Sequence, residues 1–371
     1  MDKRVSVRRC EGYDIEKIGS LFSEIYSSAG GPDPRGKRVL LKPNILTDDD
    51  PRKAISTHPV FIEAAIKFFQ NSGAAEVLVG DSPAVHKPGF KPEKSGIADT
   101  CRRTGATWVN FLHGSKEVKL NRGRIKIAGA VLEADMIISL PKLKTHELMY
   151  LTAAVKNTLG IVPGFNKAAQ HALHYDRKRF GRFLVDLNEA VTPSFFMIDA
   201  ITAMEGPGPG NGMPVDVGLI IGSCNPLAAD IIASEITGYN ITDISTNKVA
   251  LERGIWLKSP AEIKYDGPEK ETIVHKNFRR VPVFPDGNMA VKFLIRRIRP
   301  LRRLEKRPIF ISKNCIGCKA CVNICPVQVL SVHPKSKTRI IIRDNKCIRC
   351  FCCHEVCPAN AIEAKKKIFG K

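Results

Sequence analysis

Short apolar runs rich in Val, Ile and Leu alternate with longer amphipathic segments along residues 1–290. Runs of this kind predict buried strands, and the amphipathic stretches between them predict the crossover helices of a parallel sheet. The predicted strands are Arg38–Lys42, Glu76–Gly80, Asp135–Leu140, Phe195–Asp199 and Val217–Gly222, and the predicted helices are Pro59–Asn71, Gly181–Val191 and Pro226–Thr237. We therefore expect an α/β domain with a mostly parallel sheet flanked by helices.

The C-terminal part of the chain carries a different pattern, a 32-residue repeat built on cysteine. Eight of the twelve cysteines form two sets that each read C-x2-C-x2-C-x3-C-P. Residues beyond the cysteines repeat as well, since Ile316 aligns with Ile348, Pro326 with Pro358 and Leu330 with Ile362. The repeat predicts one folding unit used twice.

Cysteines at this spacing predict two [4Fe-4S] clusters rather than disulfides, because the chain shows no export signal. Three thiolates two residues apart hold one cluster, and the fourth, which precedes a proline, reaches the other. The predicted ligand sets are Cys315, Cys318, Cys321 and Cys357 for one cluster, and Cys347, Cys350, Cys353 and Cys325 for the other. A pair of structural zinc sites is the alternative, although zinc cysteines usually come in separated C-x2-C pairs. The cysteines outside the register are expected to be ordinary thiols: Cys10, Cys101, Cys224 and Cys352.

Residues 309–365 resemble bacterial two-cluster ferredoxins. This resemblance implies low-potential one-electron transfer. The predicted organisation is an α/β ligand-binding domain at residues 1–290, a basic linker at 291–308 and a small α+β two-[4Fe-4S] ferredoxin-like domain at 309–371.

The charge of the chain is strongly positive, with a formal net charge of +21, so anionic partners are expected. The linker concentrates this charge: a single acid, Glu305, stands among Lys292, Arg296, Arg297, Arg299, Arg302, Arg303, Lys306 and Arg307. Four interpretations stay open for it: a membrane-surface contact, a nucleic-acid contact, a docking patch for an acidic redox partner, and a solvated linker whose apolar stripe packs on its own domain. The lack of aromatic residues argues against single-stranded nucleic acid, because bases have no stacking platform there. With no N-terminal apolar segment and no run near the ~18 apolar residues of a membrane span, a cytoplasmic location is expected.

Polar motifs follow several predicted strands, at the sheet edge where α/β proteins bind ligands. Lys42 and Asn44 end one strand, His58 opens the next helix, and Asp81 ends another strand. In the stretch after Leu140, an extended backbone would place Lys142, Lys144 and His146 on one face, with Lys156 and Asn157 following later. Three such groups on one face would repel each other without an anion, so an anionic small molecule with a carboxylate or phosphate is the expected ligand. Helix capping by Asp81 and a solvated lysine surface are the alternatives.

Two further segments have both a functional and a structural interpretation. The loop Glu205–Gly212, rich in Gly and Pro, is either a lid over the site or a plain loop, and it lacks the Gly-Lys-Ser/Thr of a phosphate-binding P-loop. His171 and His174, with Asp176 nearby, could bind a metal, but ordinary core or surface histidines are favoured because no third ligand is evident.

Taken together, the motifs KPN, T-HP, GDSP, PKLKTH, VKN-LG, EG-GP and D-IA--I-G, followed by the cysteine repeat, resemble the iron–sulphur-centre proteins of the domain of unknown function 362 family. The resemblance covers essentially the whole chain. It implies an α/β domain coupled to a redox module in anaerobic bacteria and archaea, without an agreed substrate. The positions that match its motifs are Lys42, Asn44, His58, Asp81, Lys142, Lys144, His146, Lys156 and Asn157.

The leading hypothesis is an oxidoreductase that passes electrons from the clusters to an anionic metabolite or cofactor held by the lysines, with His58, His146 and Asp81 as catalytic candidates. A flavin is a candidate intermediary, but the chain has no G-x-G-x-x-G fingerprint to support it. The alternatives are a non-catalytic electron-transfer or redox-sensing adaptor that docks through the basic linker, and a non-redox enzyme with structural clusters.

Overall fold

The computed structural model of the chain describes residues 1–82, 95–164, 166–174, 176–283 and 306–365. The strands are β1 Arg4–Arg9, β2 Arg38–Pro43, β3 Glu76–Asp81, β4 Thr107–Asn110, β5 Lys116–Lys119, β6 Arg124–Ile127, β7 Met136–Leu140, β8 Lys142–His146, β9 Tyr150–Thr152, β10 Phe195–Glu205, β11 Met213–Ser223, β12 Lys264–Asp266, β13 Arg307–Phe310, β14 Leu330–His333, β15 Ser336–Ile342 and β16 Ile362–Lys365. The helices are α1 Ile15–Ser28, α2 Pro59–Asn71, α3 Ile97–Thr104, α4 Gly129–Glu133, α5 Ala154–Asn157, α6 Asn166–Leu173, α7 Arg177–Val191, α8 Pro226–Ile236, α9 Ser245–Arg253, α10 Lys270–Ile273, α11 Ala320–Ile324 and α12 Cys352–Glu355.

A central sheet organises the N-terminal part, with the strand order β12-β1-β11-β10-β7-β2-β3-β4 and with β8 paired to β10 and β9 to β8. The neighbouring strands β10, β7, β2, β3 and β4 run parallel, whereas β11 is antiparallel to both β10 and β1. The chain moves outward from β2 to β3 and β4, and then returns to the other side of β2 with β7. The carboxyl ends of β2 and β7 therefore flank a topological switch point, where open α/β sheets bind ligands.

Alternation of side chains along the strands separates two hydrophobic cores. On β2, Val39 and Leu41 face a core that includes Phe22 of α1 and Phe61 of α2. Leu40 faces the opposite core, to which α7 and α8 contribute. Both faces of the sheet are covered, which confirms the predicted α/β class and explains why its central strands are apolar throughout.

The predicted elements of this domain match the structure closely where apolar periodicity is strong. Helix Pro59–Asn71 has the predicted bounds, and His58 and Pro59 form its N-cap and first position. Three elements are longer than predicted. Strand β10 continues to Glu205, and strand β11 already begins at Met213. Helix α7 already begins at Arg177, because Asp176 caps it. The added residues of β11 are mostly exposed and so do not form an apolar run, whereas the added residues of β10 are mostly buried and only Thr202 and Glu205 interrupt its apolar pattern.

The C-terminal module repeats its backbone as well as its cysteines. Helices α11 and α12 begin 32 residues apart, and each follows a residue with positive φ, Lys319 or Phe351. Gly317 and Arg349 form a second pair of left-handed residues at that spacing, and Gln328 and Asn360 form a third. Left-handed backbone at non-glycine residues is costly, so its recurrence at equivalent positions indicates a loop shape fixed by the module.

Candidate functional site

The carboxyl ends of β2 and β3 carry a buried ion pair. Lys42 Nζ lies 3.0 Å from Asp81 Oδ1, and each side chain is 2% exposed. Burial lowers the pKa of the Lys42 ammonium, and the Asp81 carboxylate opposes this change. Asp81 also accepts hydrogen bonds from the backbone N–H groups of Ile45 (2.6 Å) and Ser82 (2.8 Å), so one carboxylate joins the ends of both strands.

Two asparagines extend this pair. Lys42 Nζ donates to Asn157 Oδ1 at 3.0 Å, and Asn44 Nδ2 donates to the same oxygen at 3.2 Å. Asn157 Nδ2 in turn donates to Ser139 Oγ at 2.9 Å. The structure thus brings four residues predicted from sequence, Lys42, Asn44, Asp81 and Asn157, into one network. Asn44 Oδ1 is buried and has no hydrogen-bond partner in the described part of the chain.

Lys156 is placed by the short helix α5. The Asp230 carboxylate of α8 accepts hydrogen bonds from Ala154 N (2.6 Å) and Val155 N (3.2 Å), which caps the helix at its start. Burial lowers the pKa of Lys156, and the carboxylate of Glu355 opposes this change. Among the described residues, no hydrogen bond or ion pair engages the Lys156 ammonium, which leaves it available to a ligand.

Strand β8 is extended as predicted and buried along its whole length. Lys142 Nζ lies 2.8 Å from Asp199 Oδ2 and donates to Tyr13 Oη at 2.7 Å. Tyr13 donates to Asp199 Oδ1 at 2.9 Å and stacks on the His58 ring with centroids 3.6 Å apart. Asp199 therefore supplies the counter-ion for Lys142, and an external anion is not required there.

Lys144 and His146 are enclosed further along the strand. Lys144 Nζ donates to the carbonyl of Ile55 at 2.6 Å, and burial together with nearby Lys156 lowers its pKa to about 7. His146 Nδ1 accepts from the N–H groups of Leu148 and Met149, so the neutral ring carries its proton on Nε2. That Nε2 atom lies 3.1 Å from Glu355 Oε1 of the C-terminal module, without the alignment of a hydrogen bond.

The two histidines predicted to supply protons are neutral in this fold. Burial lowers the pKa of His58 to about 4 and that of His146 to about 3. The sequence-based reason for choosing them was the ordinary pKa of histidine, and burial removes that reason.

A cavity of ≈ 70 Å³ lies between the sheet edge and the C-terminal module. At roughly 10–15 Å³ per water, it holds about five water molecules, the space of a small organic anion. Its walls include Asn44, Asp81, Lys156, Lys167 and His171 from the α/β domain, and Ile324, Cys352 and Glu355 from the module. Burial lowers the pKa of Lys167 to about 7, and Lys167 donates to the carbonyl of Ser82.

The cysteines of the module surround two separate, mainly apolar cavities. Cys315, Cys318, Cys321 and Cys357 line one cavity together with Ile340 and Ile362. Cys325, Cys347, Cys350 and Cys353 line the other together with Val329 and Phe351. Four thiols in apolar surroundings are the donor set that a [4Fe-4S] cluster takes. Among the described residues, no three His, Cys, Asp or Glu side chains are close enough together to bind a single metal ion. This is compatible with a cubane, because each of its four thiolates bonds a different iron.

The remaining sequence motifs have structural surroundings. His171 stacks on Phe180 and His174 on Phe183, with centroids 4.3 and 4.7 Å apart, and Asp176 caps α7. In the Gly-rich loop, Gly206 N donates to Arg279 O at 2.7 Å and Glu147 N donates to Gly208 O at 3.2 Å. The linker residues 291–305 lie outside the described residues. At its end, Lys306 pairs with Glu147 of the α/β domain at 2.8 Å.

Sequence reasoning missed several residues of the site, listed here: Tyr13, Lys167, Asp199 and Glu355. Asp230 is the first residue of the motif D-IA--I-G, for which the sequence suggested no role. The structure shows that its carboxylate caps helix α5. Gly160, the last residue of VKN-LG, is also needed, because a Cβ there would collide with the Asp81 carboxylate and the Lys42 ammonium. The glycine of the motif was the available signal for this close approach.

Comparisons with known proteins find two family matches and one similar curated protein. The profile of the domain of unknown function 362 matches residues 39–235, and that of a 4Fe-4S dicluster domain matches residues 314–361. A thylakoid-associated protein of Synechocystis sp. is 30% identical over 303 residues, which cover 80% of this chain and 92% of that protein.

Two solved structures are similar at a much lower level. The lactate racemase apoprotein from Thermoanaerobacterium thermosaccharolyticum is 13% identical with a TM-score of 0.41, over 61% of this chain and 56% of that one. A protein from Thermotoga maritima is 17% identical with a TM-score of 0.40, over 62% of this chain and 60% of that one. Among the described residues, no helix is long and apolar enough to cross a bilayer.

Proposed function

The chain belongs to the domain of unknown function 362 family and carries two [4Fe-4S] clusters on a dicluster domain. We propose that it uses these clusters to reduce a small anionic molecule, which is held in the cavity between its two parts. The ligand sets that we propose for the clusters are the two groups of four cysteines that line the separate cavities of the module. When bound, the clusters supply one-electron transfer.

The observation that carries the proposal is the composition of the interface cavity. Its α/β wall offers the Lys156 ammonium, and its other wall includes α12, which contains Cys352 and the proposed ligand Cys353. A carboxylate or phosphate beside the half-buried Lys156 ammonium would accept charge-assisted hydrogen bonds from it. The ligand would then lie against the part of the chain that holds the clusters.

The proposed roles of the other residues follow from their contacts. The Lys42–Asp81 pair and Asn157 fix the floor of the cavity, and Asn44 Oδ1 is a free acceptor for a ligand hydroxyl or N–H. Lys167 is the proton donor that we propose in place of the histidines. It lines the cavity, and burial sets its pKa at about 7, where an acid gives up a proton readily near neutrality.

The test is anaerobic. Protein reduced with dithionite and freed of excess reductant is mixed with small carboxylates in one arm and phosphate esters in the other, and cluster reoxidation is followed by absorbance. At least one compound is expected to reoxidise the clusters, and Lys156→Ala is expected to slow this at least about tenfold, the loss of one charged contact. Lys116→Ala, on exposed strand β5, is the control and should match the wild type. An inert panel, or equal rates in Lys156→Ala and wild type, would refute the proposal.

A second candidate function is attachment to a membrane surface. The Synechocystis relative is named as thylakoid-associated, and the linker of this chain carries the charge that anionic lipid attracts. The measurement is sedimentation with phosphatidylglycerol vesicles, with phosphatidylcholine vesicles as the control. Glutamine at Arg296, Arg297, Arg302 and Arg303 is expected to abolish sedimentation, and an unchanged bound fraction would exclude this function.

A further inference from the structure

The two halves of the cysteine repeat share a backbone but differ in exposure. In the first half, Ile316 is 67% exposed and Lys319 is also exposed. In the second half, the residue equivalent to Lys319 is Phe351, which is only 7% exposed, and Arg349 in place of Gly317 is only 8% exposed. The loop beside Cys315 and Cys318 therefore faces solvent, whereas Ile348 and Arg349, between Cys347 and Cys350, are half-buried and buried.

The exposed loop lies in a basic surface. Lys313 and Lys319 stand three residues before and after Ile316, and Lys337 lies beside the loop, its carbonyl 3.3 Å from the position of a Cβ on Gly317. The exposed charged residues of 306–365 are all basic: Lys313, Lys319, Lys335, Lys337, Arg339, Arg343, Lys346 and Lys365.

The acids of the same stretch do not offset this charge at the loop. Each of the three is only partly exposed: Asp344 lies 2.6 Å from Arg349, Glu363 lies 2.5 Å from Lys365, and Glu355 lines the interface cavity. At the centre of this surface lies the apolar side chain of Ile316, and the lysines around it have no carboxylate nearby among the described residues.

We propose that Ile316 with Lys313, Lys319 and Lys337 forms the docking surface for a small acidic electron-carrier protein. Opposite charge steers such a partner to the surface and orients it, and the exposed isoleucine supplies an apolar contact at the centre, from which water is excluded. In each productive encounter the reduced carrier loses one electron and this chain gains one. The surface is independent of whatever molecule the interface cavity holds.

The test measures complex formation directly. A small acidic flavodoxin is the probe, and its Kd for the cluster-loaded full-length protein is measured by titration calorimetry at low and near-physiological ionic strength. The wild type is expected to bind more weakly as salt rises. Glutamate at Lys313, Lys319 and Lys337 together should weaken binding at low salt at least about tenfold and remove most of the salt dependence.

The matched control places glutamate at Lys119, Arg122 and Lys126, three exposed residues on the α/β domain, and so makes the same change in net charge. It should bind the probe like the wild type. Iron and acid-labile sulphide contents show whether each variant carries its clusters. If the triple variant does not, the titration is repeated with Lys337→Glu alone, because this residue lies outside both cysteine motifs. Wild-type affinity without salt dependence, or equal weakening in the control and the loop variant, would overturn the proposal. The cavity proposal would stand in that case, since dithionite reduces the clusters without a protein donor.

Discussion

Asp81 compensates a buried lysine, so its removal should be among the most damaging single changes in the α/β domain. Asp81→Asn keeps the size of the side chain but leaves the Lys42 ammonium, 2% exposed, without a carboxylate at 3.0 Å. The new amide also directs N–H groups toward a site that now receives donors from Lys42, Ile45 and Ser82. Breaking a buried pair from one side costs about 3–5 kcal/mol, and we expect a loss in that range.

A double-mutant cycle separates the pair from its surroundings. Lys42→Met alone leaves Asp81 buried without its cation, whereas Lys42→Met with Asp81→Asn leaves no unpaired charge. The double variant should therefore lose at least about 2 kcal/mol less than the sum of the single losses.

The assay is urea unfolding followed by tryptophan fluorescence under anaerobic conditions. Both tryptophans, Trp108 and Trp256, lie in the α/β domain, so the signal reports this domain separately from the cysteine module. Single losses below about 1 kcal/mol, or additive losses in the double variant, would refute the claim that this ion pair joins the strand ends.

Three further predictions concern the same region. Gly160→Ala forces the chain away from the Lys42–Asp81 pair and should lower the unfolding free energy by about 2–4 kcal/mol in the same assay. Gly19→Ala, at a glycine of helix α1 with open space around it, should not lower the unfolding free energy, because alanine favours a helix. Similar losses in the two variants would contradict the steric argument. His171 is neutral in the fold because burial lowers its pKa to about 4, so protons bind the unfolded chain first as pH falls below 6.5. Stability should drop by about 2 kcal/mol between roughly pH 7 and pH 5 on account of this residue, and His171→Leu should remove that part of the slope; an unchanged slope would count against the assignment. Glu147→Gln removes the 2.8 Å ion pair with Lys306 and should speed proteolysis between the two parts of the chain. Glu117→Gln, on the exposed β5–β6 hairpin, is the control and should leave the rate of proteolysis unchanged. Equal rates in the two variants would show that the ion pair does not hold the parts together.

The central strands and helices could be predicted because their signal is local. Strand β2, helix α2 and strand β7 each show an apolar pattern within a dozen residues, and the structure reproduces them to within one residue. The cysteine repeat could also be recognised from the sequence, because a 32-residue period indicates a folding unit whatever the unit packs against. Lys42, Asn44 and Asp81 were placed together because strand ends meet at one edge of a parallel sheet, and Asn157 was named from the later motif VKN-LG.

The partners of these residues could not be read from the sequence. Asp199 is 57 residues from Lys142, and Glu355 is 209 residues from His146, on the other part of the chain. Without those carboxylates, the lysines and histidine of β8 looked like the wall of an anion site, whereas the structure gives Lys142 a counter-ion from the chain itself. Lys156 differs because the fold brings it beside a cavity, where its ammonium forms no hydrogen bond or ion pair with the described residues.

The most direct test of the account is a crystal or cryo-EM structure of protein purified without oxygen, with the metals identified by anomalous scattering or elemental analysis. We expect iron in two cubanes, one held by Cys315, Cys318, Cys321 and Cys357 and the other by Cys347, Cys350, Cys353 and Cys325. We also expect an anionic group within hydrogen-bond distance of Lys156 once a compound that reoxidises the clusters is added. Zinc in the cysteine sites, or that compound bound away from the interface cavity, would contradict the account.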